Sequence, residues 1–243
     1  MAFLLTAFAG LSTGIGSAIA YGIRKPKFSY LSVLLGFAAG VMIYISFVEL
    51  LGSAIEEMGF LEANLAFFAG VVVIFAVDRI IPHIHIDVRK DTERGDLKYA
   101  GMMTAVGIAI HNFPEGMAVL AVSLASPDFG VPIAIAIAIH NIPEGISVSV
   151  PIFYATGDRR KAFLYSFLSG VSEPVGAAIG YLILLPFITP FLLSSTLAFV
   201  GGIMVFICFD ELIPVANRYG EQHLCIYGIF LGMFVMMVSL CGL

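Results

Sequence analysis

Residues 98 to 124 read KYAGMMTAVGIAIHNFPEGMAVLAVSL, and residues 131 to 155 read VPIAIAIAIHNIPEGISVSVPIFYA. Each is apolar over a length that carries a helix, at about 1.5 Å per residue, across the roughly 30 Å of a bilayer's hydrocarbon. Each also holds the same polar hexapeptide pattern, HNxPEG, near its middle. An outer-membrane barrel strand would be about ten residues of alternating polarity, which neither stretch is. Both read as membrane-crossing helices whose backbone is satisfied internally, because hydrocarbon offers no partner.

The rest of the chain has the same character. It has 243 residues, 60% hydrophobic and only 12% charged, with 25 glycines, and its mean hydropathy is +1.01. That leaves too little polar residue to cover a water-facing globule, and eight crossings leave no room for a soluble catalytic domain. Apolar runs between polar or turn-forming breaks predict eight helices, near 2 to 23, 31 to 52, 63 to 82, 98 to 124, 131 to 155, 160 to 185, 189 to 217 and 224 to 243. They form one transmembrane domain over 1–243, an all-α polytopic bundle. Helix 1 lacks a basic stretch before it and has Arg24, Lys25 and Lys27 after it, so it reads as retained rather than as a cleaved signal. Cys208, Cys225 and Cys241 form no CxxC pair and read as packing residues.

All 12 Lys and Arg fall in the connections that follow odd-numbered helices. The opposite connections hold Glu56, Glu57, Glu62 and Asp128 and no cation. The positive-inside rule then puts both termini outside and the basic loops in the cytoplasm. The outer face is acidic, which concentrates approaching cations or simply solvates the loops. Compact loops suit a prokaryotic inner membrane.

Two internal repeats lie outside the central pair. LGFAAGVMIYISFVELLGSA (35 to 54) aligns without gaps to LAFVGGIMVFICFDELIPVA (197 to 216), and GLSTGIGSAIAY (10 to 21) aligns to GVSEPVGAAIGY (170 to 181). Helices 1 and 2 thus correspond to helices 6 and 7. Because helix 1 enters from outside and helix 6 from inside, the copies have opposite orientation, as in transporters built from inverted halves. The expected arrangement is 3+2+3. Glu49 and Glu211 become equivalent positions near opposite mouths.

On a helix, residues three or four apart share a face, so His111, Asn112 and Glu115 converge, as do His140, Asn141 and Glu144. Pro114 and Pro143 remove backbone donors, and the expectation is a bend with freed carbonyls at mid-membrane. Glu173 lies at the same depth. No Lys or Arg falls in the middle of any helix to neutralise these carboxylates, which are costly in hydrocarbon unless paired. Three Glu and two His without a basic partner imply a bound cation. Imidazole and carboxylate suit Zn²⁺, and also Fe²⁺, Co²⁺ and Mn²⁺, whereas the absence of thiolate argues against Cu⁺. There are ligands enough for two metals, bridged by Glu115 and Glu144. A helix-to-helix hydrogen-bond clamp accounts for one His–Asn pair, but not for two copies with uncompensated carboxylates.

The doubled HNxPEG, with SEPVGA around Glu173 and FDELIP in helix 7, resembles the ZIP family of divalent-metal transporters over the whole chain, and in particular its bacterial zinc-uptake (ZupT-like) branch. The resemblance implies a two-metal transport site: His111, Glu115, His140 and Glu144 for the first ion, and Asn112, Glu115, Asn141, Glu144 and Glu173 for the second. It also implies homodimers and alternating access by movement of helices 1, 4, 5 and 6 against 2, 3, 7 and 8. Many members carry a long His-rich loop between helices 3 and 4. Here that loop is short and offers only His83, His85 and Asp87, a transient exit site or a solvated loop. Asp210 and Glu211 at the inner mouth, and Glu49 at the outer one, read either as pore-mouth ligands or as helix-end carboxylates facing headgroups.

The expectation is an importer of Zn²⁺ and related divalent ions (Fe²⁺, Mn²⁺, Co²⁺, Cd²⁺) with the metal as cargo, no cofactor, no catalytic residue and no nucleic-acid partner. An intramembrane two-metal enzyme is the alternative. Against it, the HExxH motif and the Glu-x-x-His pair of di-iron bundles are both absent.

Overall fold

A computed structural model describes residues 1–23, 27–80, 93–125, 127–184 and 189–241. The described residues are helical with no strand. Eight helices are long and apolar enough to cross a membrane, in the order expected. Helix 1 is Ala2–Gly22, helix 3 Phe60–Ile80, helix 4 Glu93–Ala125, helix 5 Pro127–Thr156 and helix 8 Gln222–Cys241. Helix 2 runs Phe28–Ile45, passes through a π-helical turn at Ser46–Leu51 and continues as Gly52–Met58. Helix 7 repeats that construction with Pro190–Ile207, a π turn at Cys208–Leu212 and Ile213–Tyr219. Helix 6, Arg159–Ile179, ends in a π turn at Gly180–Leu184. The chain is a multi-pass membrane protein.

The ends follow local chemistry. Gly157, at φ +67°, turns the chain after helix 5. Asp158 then caps helix 6 by accepting the Lys161 N–H at 3.1 Å. That hydrogen bond holds the Asp158 carboxyl below its usual range. Thr189 caps helix 7 in the same way, accepting from Leu192 with Pro190 in the first turn.

Three expectations need correction. Helix 2 does not stop at 52 nor helix 3 start at 63; only Gly59, at φ +95°, separates them. Glu56 and Glu57 are good helix formers, so the last turn of helix 2 keeps them, and Glu62 sits in the first turn of helix 3 where the helix dipole favours it. Helix 4 runs unbroken through Pro114, and helix 5 through Pro143. The irregular backbone lies instead in the π turns of helices 2, 6 and 7. Cys241 is exposed, and only Cys208 and Cys225 are packing residues.

Helix 5 is the most buried span and helices 3 and 8 the least. Helices 1, 4, 5 and 6 pack on one another, helix 2 packs on 8, and helix 3 on 7. In lipid there is no hydrophobic drive between helices, so close approach and hydrogen bonds must hold them. Glycines provide the approach. A Cβ on Gly16 would strike the Ile142 carbonyl of helix 5, and one on Gly176 the Phe113 carbonyl of helix 4. Likewise Gly40 lies against Ile229 of helix 8, and Gly202 against Phe67 of helix 3. Hydroxyls add a seam: Ser17 donates to Ser166 (2.6 Å) and Ser166 to the Gly145 carbonyl (2.9 Å), tying helices 1, 6 and 5 together. Leu35, Met42 and Ile45 of helix 2 pack with Ile203 and Met204 of helix 7 in the largest apolar core.

Candidate metal site

His111, Asn112, Glu115, His140, Asn141, Glu144 and Glu173 are all fully buried, on helices 4, 5 and 6. The helical spacing puts each imidazole, amide and carboxylate on one face, and the two antiparallel helices turn those faces together. The pairs form across helices. His111 Nε2 is hydrogen-bonded to Glu144 Oε1 at 2.8 Å, and His140 Nε2 to Glu115 Oε1 at 2.9 Å. Asn141 Nδ2 donates to Glu173 Oε2 at 2.7 Å and to the Ala9 carbonyl of helix 1 at 2.8 Å. The Asn112 amide, nitrogen inward, lies 2.9 Å from His111 Nε2 and 3.2 Å from Glu144 Oε2.

Two features of this cluster are electrostatically incomplete. Among the described residues, Glu115 and Glu144 form ion pairs only with these histidines, and none of the three carboxylates meets a Lys or Arg. Glu115 Oε2, Asn141 Oδ1 and Glu173 Oε1 are buried with no hydrogen-bond donor. Leaving a buried acceptor bare costs about 1–3 kcal/mol, more when it is charged. In addition, His111 Nε2 has one proton or one lone pair, yet faces both Glu144 and Asn112. The chemistry of the set is that of a site closed on itself around acceptors in excess.

The residues expected at the mouths separate into two groups. Glu49 lies on the helix 2 π turn, exposed. Asp210 and Glu211 lie on the helix 7 π turn, which begins at the position aligned with Ser46. Their carboxylates meet that of Asp78, from the end of helix 3, with ligand atoms all within 4.8 Å of one another. Among the described residues this is the only such trio of His, Cys, Asp or Glu. A cavity of about 230 Å³ opens beside it, lined by Tyr99, Asp210, Glu211 and Arg218. A narrower crevice between helices 3, 4 and 7 runs from Asp78, Asp210 and Glu211 to Gly107, one turn before His111. Asp78 escaped the sequence reading because it sits next to Arg79 and looks like half of a loop ion pair. Its signal was its place as the one acid in the last turn of helix 3. His83, His85 and Asp87 lie outside the described residues.

Residues 82–240 match the model of the family described as ZIP Zinc transporter. The chain belongs to the ZIP family. It is 51% identical to the zinc transporter ZupT of Nitratidesulfovibrio vulgaris, over 99% of this chain and 96% of that protein. It is 50% identical to the zinc transporter ZupT of Clostridium perfringens (99% and 95%), and 48% to that of Streptococcus mutans (98% and 96%). Membership in this family makes the protein a transporter and not an enzyme, so the intramembrane-enzyme alternative is dropped.

Proposed function

We propose that the chain carries Zn²⁺, and with it Fe²⁺, Mn²⁺, Co²⁺ and Cd²⁺, into the cytoplasm by alternating access through the buried cluster on helices 4, 5 and 6. The observation that carries the reading is three fully buried carboxylates with no Lys or Arg beside them and three oxygens without a donor. A divalent cation among them removes both deficits. Loading exchanges each His–Glu hydrogen bond for a shared ion. One ion takes His111, Glu115, His140 and Glu144; the other takes Asn112, Glu115, Asn141, Glu144 and Glu173, with the Asn112 amide turned oxygen inward. Zn²⁺ accepts such imidazole and carboxylate ligands at about 2.0 to 2.2 Å. Radiolabelled zinc accumulating in vesicles that hold the purified protein tests the whole reading; accumulation no faster than in empty vesicles defeats it.

The alternation follows from a 3+2+3 arrangement of inverted copies, which the glycine contacts support. The pairs Gly16–Ile142 and Gly176–Phe113 are related by the repeats, as are Gly40–Ile229 and Gly202–Phe67. Helices 1 and 5 then stand to each other as 6 and 4 do, and helices 2 and 8 as 7 and 3. A prokaryotic plasma membrane, with both termini outside, is the setting we assign. A second copy completes a homodimer along the lipid-facing sides of helices 3 and 8, where Phe68, Phe230 and Phe234 are exposed.

Metal ligands must be deprotonated to bind, so protons compete with the cargo. Lowering the pH protonates imidazole and carboxylate and raises the zinc concentration needed. At limiting zinc, vesicle uptake is expected to fall several-fold from pH 7.5 to 5.5, and to recover with excess zinc. Rates unchanged over that range contradict proton competition.

The Asp78, Asp210 and Glu211 trio serves in this reading as the way-station toward the cytoplasm. The double variant Asp78→Asn with Asp210→Asn is expected to slow maximal uptake several-fold while zinc binding at the central cluster, followed by calorimetry, keeps its affinity. Unaltered maximal uptake removes the trio from the path.

A further inference from the structure

The aligned repeats set Thr13 of helix 1 against Glu173 of helix 6, and the packing treats them as counterparts. At the crossing of these helices, a Cβ on Gly10 would lie 2.9 Å from Glu173 Cβ, and one on Gly170 would lie 2.7 Å from Thr13 Cβ and 2.8 Å from its Oγ1. Gly116, just after Glu115, abuts the Glu173 carbonyl; Gly145, just after Glu144, abuts the Thr13 carbonyl. The Thr13 backbone therefore lies against helix 5 at Gly145 as the Glu173 backbone lies against helix 4 at Gly116.

Its hydroxyl is unused. Thr13 is fully buried, and Oγ1 has no hydrogen-bond partner. A buried helical hydroxyl ordinarily bonds the carbonyl four residues back, as Thr6 does to Ala2 (3.2 Å) and Ser46 to Met42 (2.7 Å). For Thr13 that carbonyl is Ala9, whose oxygen accepts from Asn141 Nδ2 at 2.8 Å and also faces Ser12 Oγ at 2.6 Å, a hydroxyl whose one proton is shared with the Ala138 carbonyl at 2.8 Å. A carbonyl oxygen has two lone pairs. Asn141, the residue that also bonds Glu173, thus helps deny Thr13 its usual acceptor. Valine would fill the same volume without stranding a hydroxyl.

We propose that Thr13 is a further cation ligand of the transport site, its hydroxyl giving a neutral oxygen to the ion held by Asn141, Glu144 and Glu173. The inference rests on the central-site reading. An oxygen two-fold related to the Glu173 carboxylate completes the ion's shell from the helix 1 side without adding a charge to neutralise. Asn141 acts twice, once through its own Oδ1 and once by occupying Ala9.

Purified full-length protein carrying Thr13→Val, Thr13→Ser or Glu144→Ala, compared by thermal unfolding with EDTA and with zinc and by zinc uptake into vesicles, tests it. Thr13→Val is expected to unfold in EDTA at or above the wild-type temperature, because a stranded hydroxyl is gone. Its zinc-induced rise should shrink and its KM for zinc should increase by about 5-fold, the scale of one modest polar contact. Thr13→Ser should restore both. If Thr13→Val does not insert, Thr13→Ala is read by the same criteria. A zinc-induced rise and KM equal to wild type in the variant without the hydroxyl, or a serine variant that behaves like valine, overturns the assignment of Thr13. If Glu144→Ala also keeps the full zinc-induced rise, the central-site reading itself falls and takes this inference with it.

Discussion

Glu144→Ala and His140→Ala are expected to abolish zinc uptake while the protein still inserts and purifies as a folded species. In the proposed two-ion reading Glu144 serves both ions and His140 serves the first. Glu144 bonds His111 at 2.8 Å and lies 3.2 Å from the Asn112 amide, so its loss removes one of the two His–Glu bonds between helices 4 and 5 and leaves the His140–Glu115 bond in place. Loss of His140 leaves both Glu115 oxygens without a partner, since Oε2 has none even now. Altering a group that merely supports metal ligands commonly costs 10- to 100-fold in affinity or activity, and removing a ligand itself should exceed that. A loss of about 100-fold or more, roughly 2.8 kcal/mol at 1.4 per decade, is therefore the expected scale. Glu144→Gln makes the comparison sharper, because it keeps the shape and can still reach His111 but brings no charge. Uptake should fall nearly as far as with alanine, while the zinc-induced rise in unfolding temperature, which scales with the logarithm of ligand over Kd, nearly disappears. Full transport with Glu115, Glu144 and Glu173 all replaced by Gln places the cargo elsewhere.

Much of the fold and of the central cluster is legible in the sequence, and particular residues show why. Apolar stretches of membrane length announce helices because hydrocarbon admits no other open structure. Acids and histidines within them are conspicuous because they are expensive there. The helix ends were less legible: Glu56 and Glu57 look like a loop by hydropathy yet prolong helix 2, because hydropathy marks where a helix leaves the bilayer and not where it stops. Pro114 and Pro143 were expected to bend their helices, and both helices continue through them. The π turns at Ser46–Leu51 and Cys208–Leu212 have no composition of their own, although they fall at aligned places and carry Glu49, Asp210 and Glu211. The meeting of Asp78 with Asp210 and Glu211 is tertiary, since helix 3 packs on helix 7. The Ala9 carbonyl that holds Asn141 is a backbone atom of an alanine, so no side-chain pattern marks it.

Replacing Gly40 or Gly202 by valine is expected to destabilise the scaffold strongly. A Cβ on Gly40 would run into the Ile229 carbonyl, and one on Gly202 into the Phe67 carbonyl, with no flexible side chain to yield. Two helices would have to move apart along their length. In lipid that forfeits the close packing and the backbone contacts that hold them, with no hydrophobic term to compensate. Overpacking a core typically costs about 1–3 kcal/mol, and a collision with backbone belongs at or above the upper end. Gly232 abuts the Phe37 carbonyl across the same helix 2–8 interface as Gly40, and Gly70 abuts Phe199 across the helix 3–7 interface. A valine at either of those should therefore give a comparable loss. Gly52 is the control. It has ordinary helical angles, φ −57° and ψ −54°, and its nearest contact for a Cβ is the Phe47 carbonyl at 3.6 Å. Gly52→Ala should therefore gain up to about 1 kcal/mol from helix propensity. Thermal unfolding of the purified variants in one detergent gives the comparison directly. Gly40→Val and Gly202→Val unfolding at the wild-type temperature would mean that these helices are not held at backbone contact, and the pairing of helix 2 with 8 and of 3 with 7 would lose its physical basis.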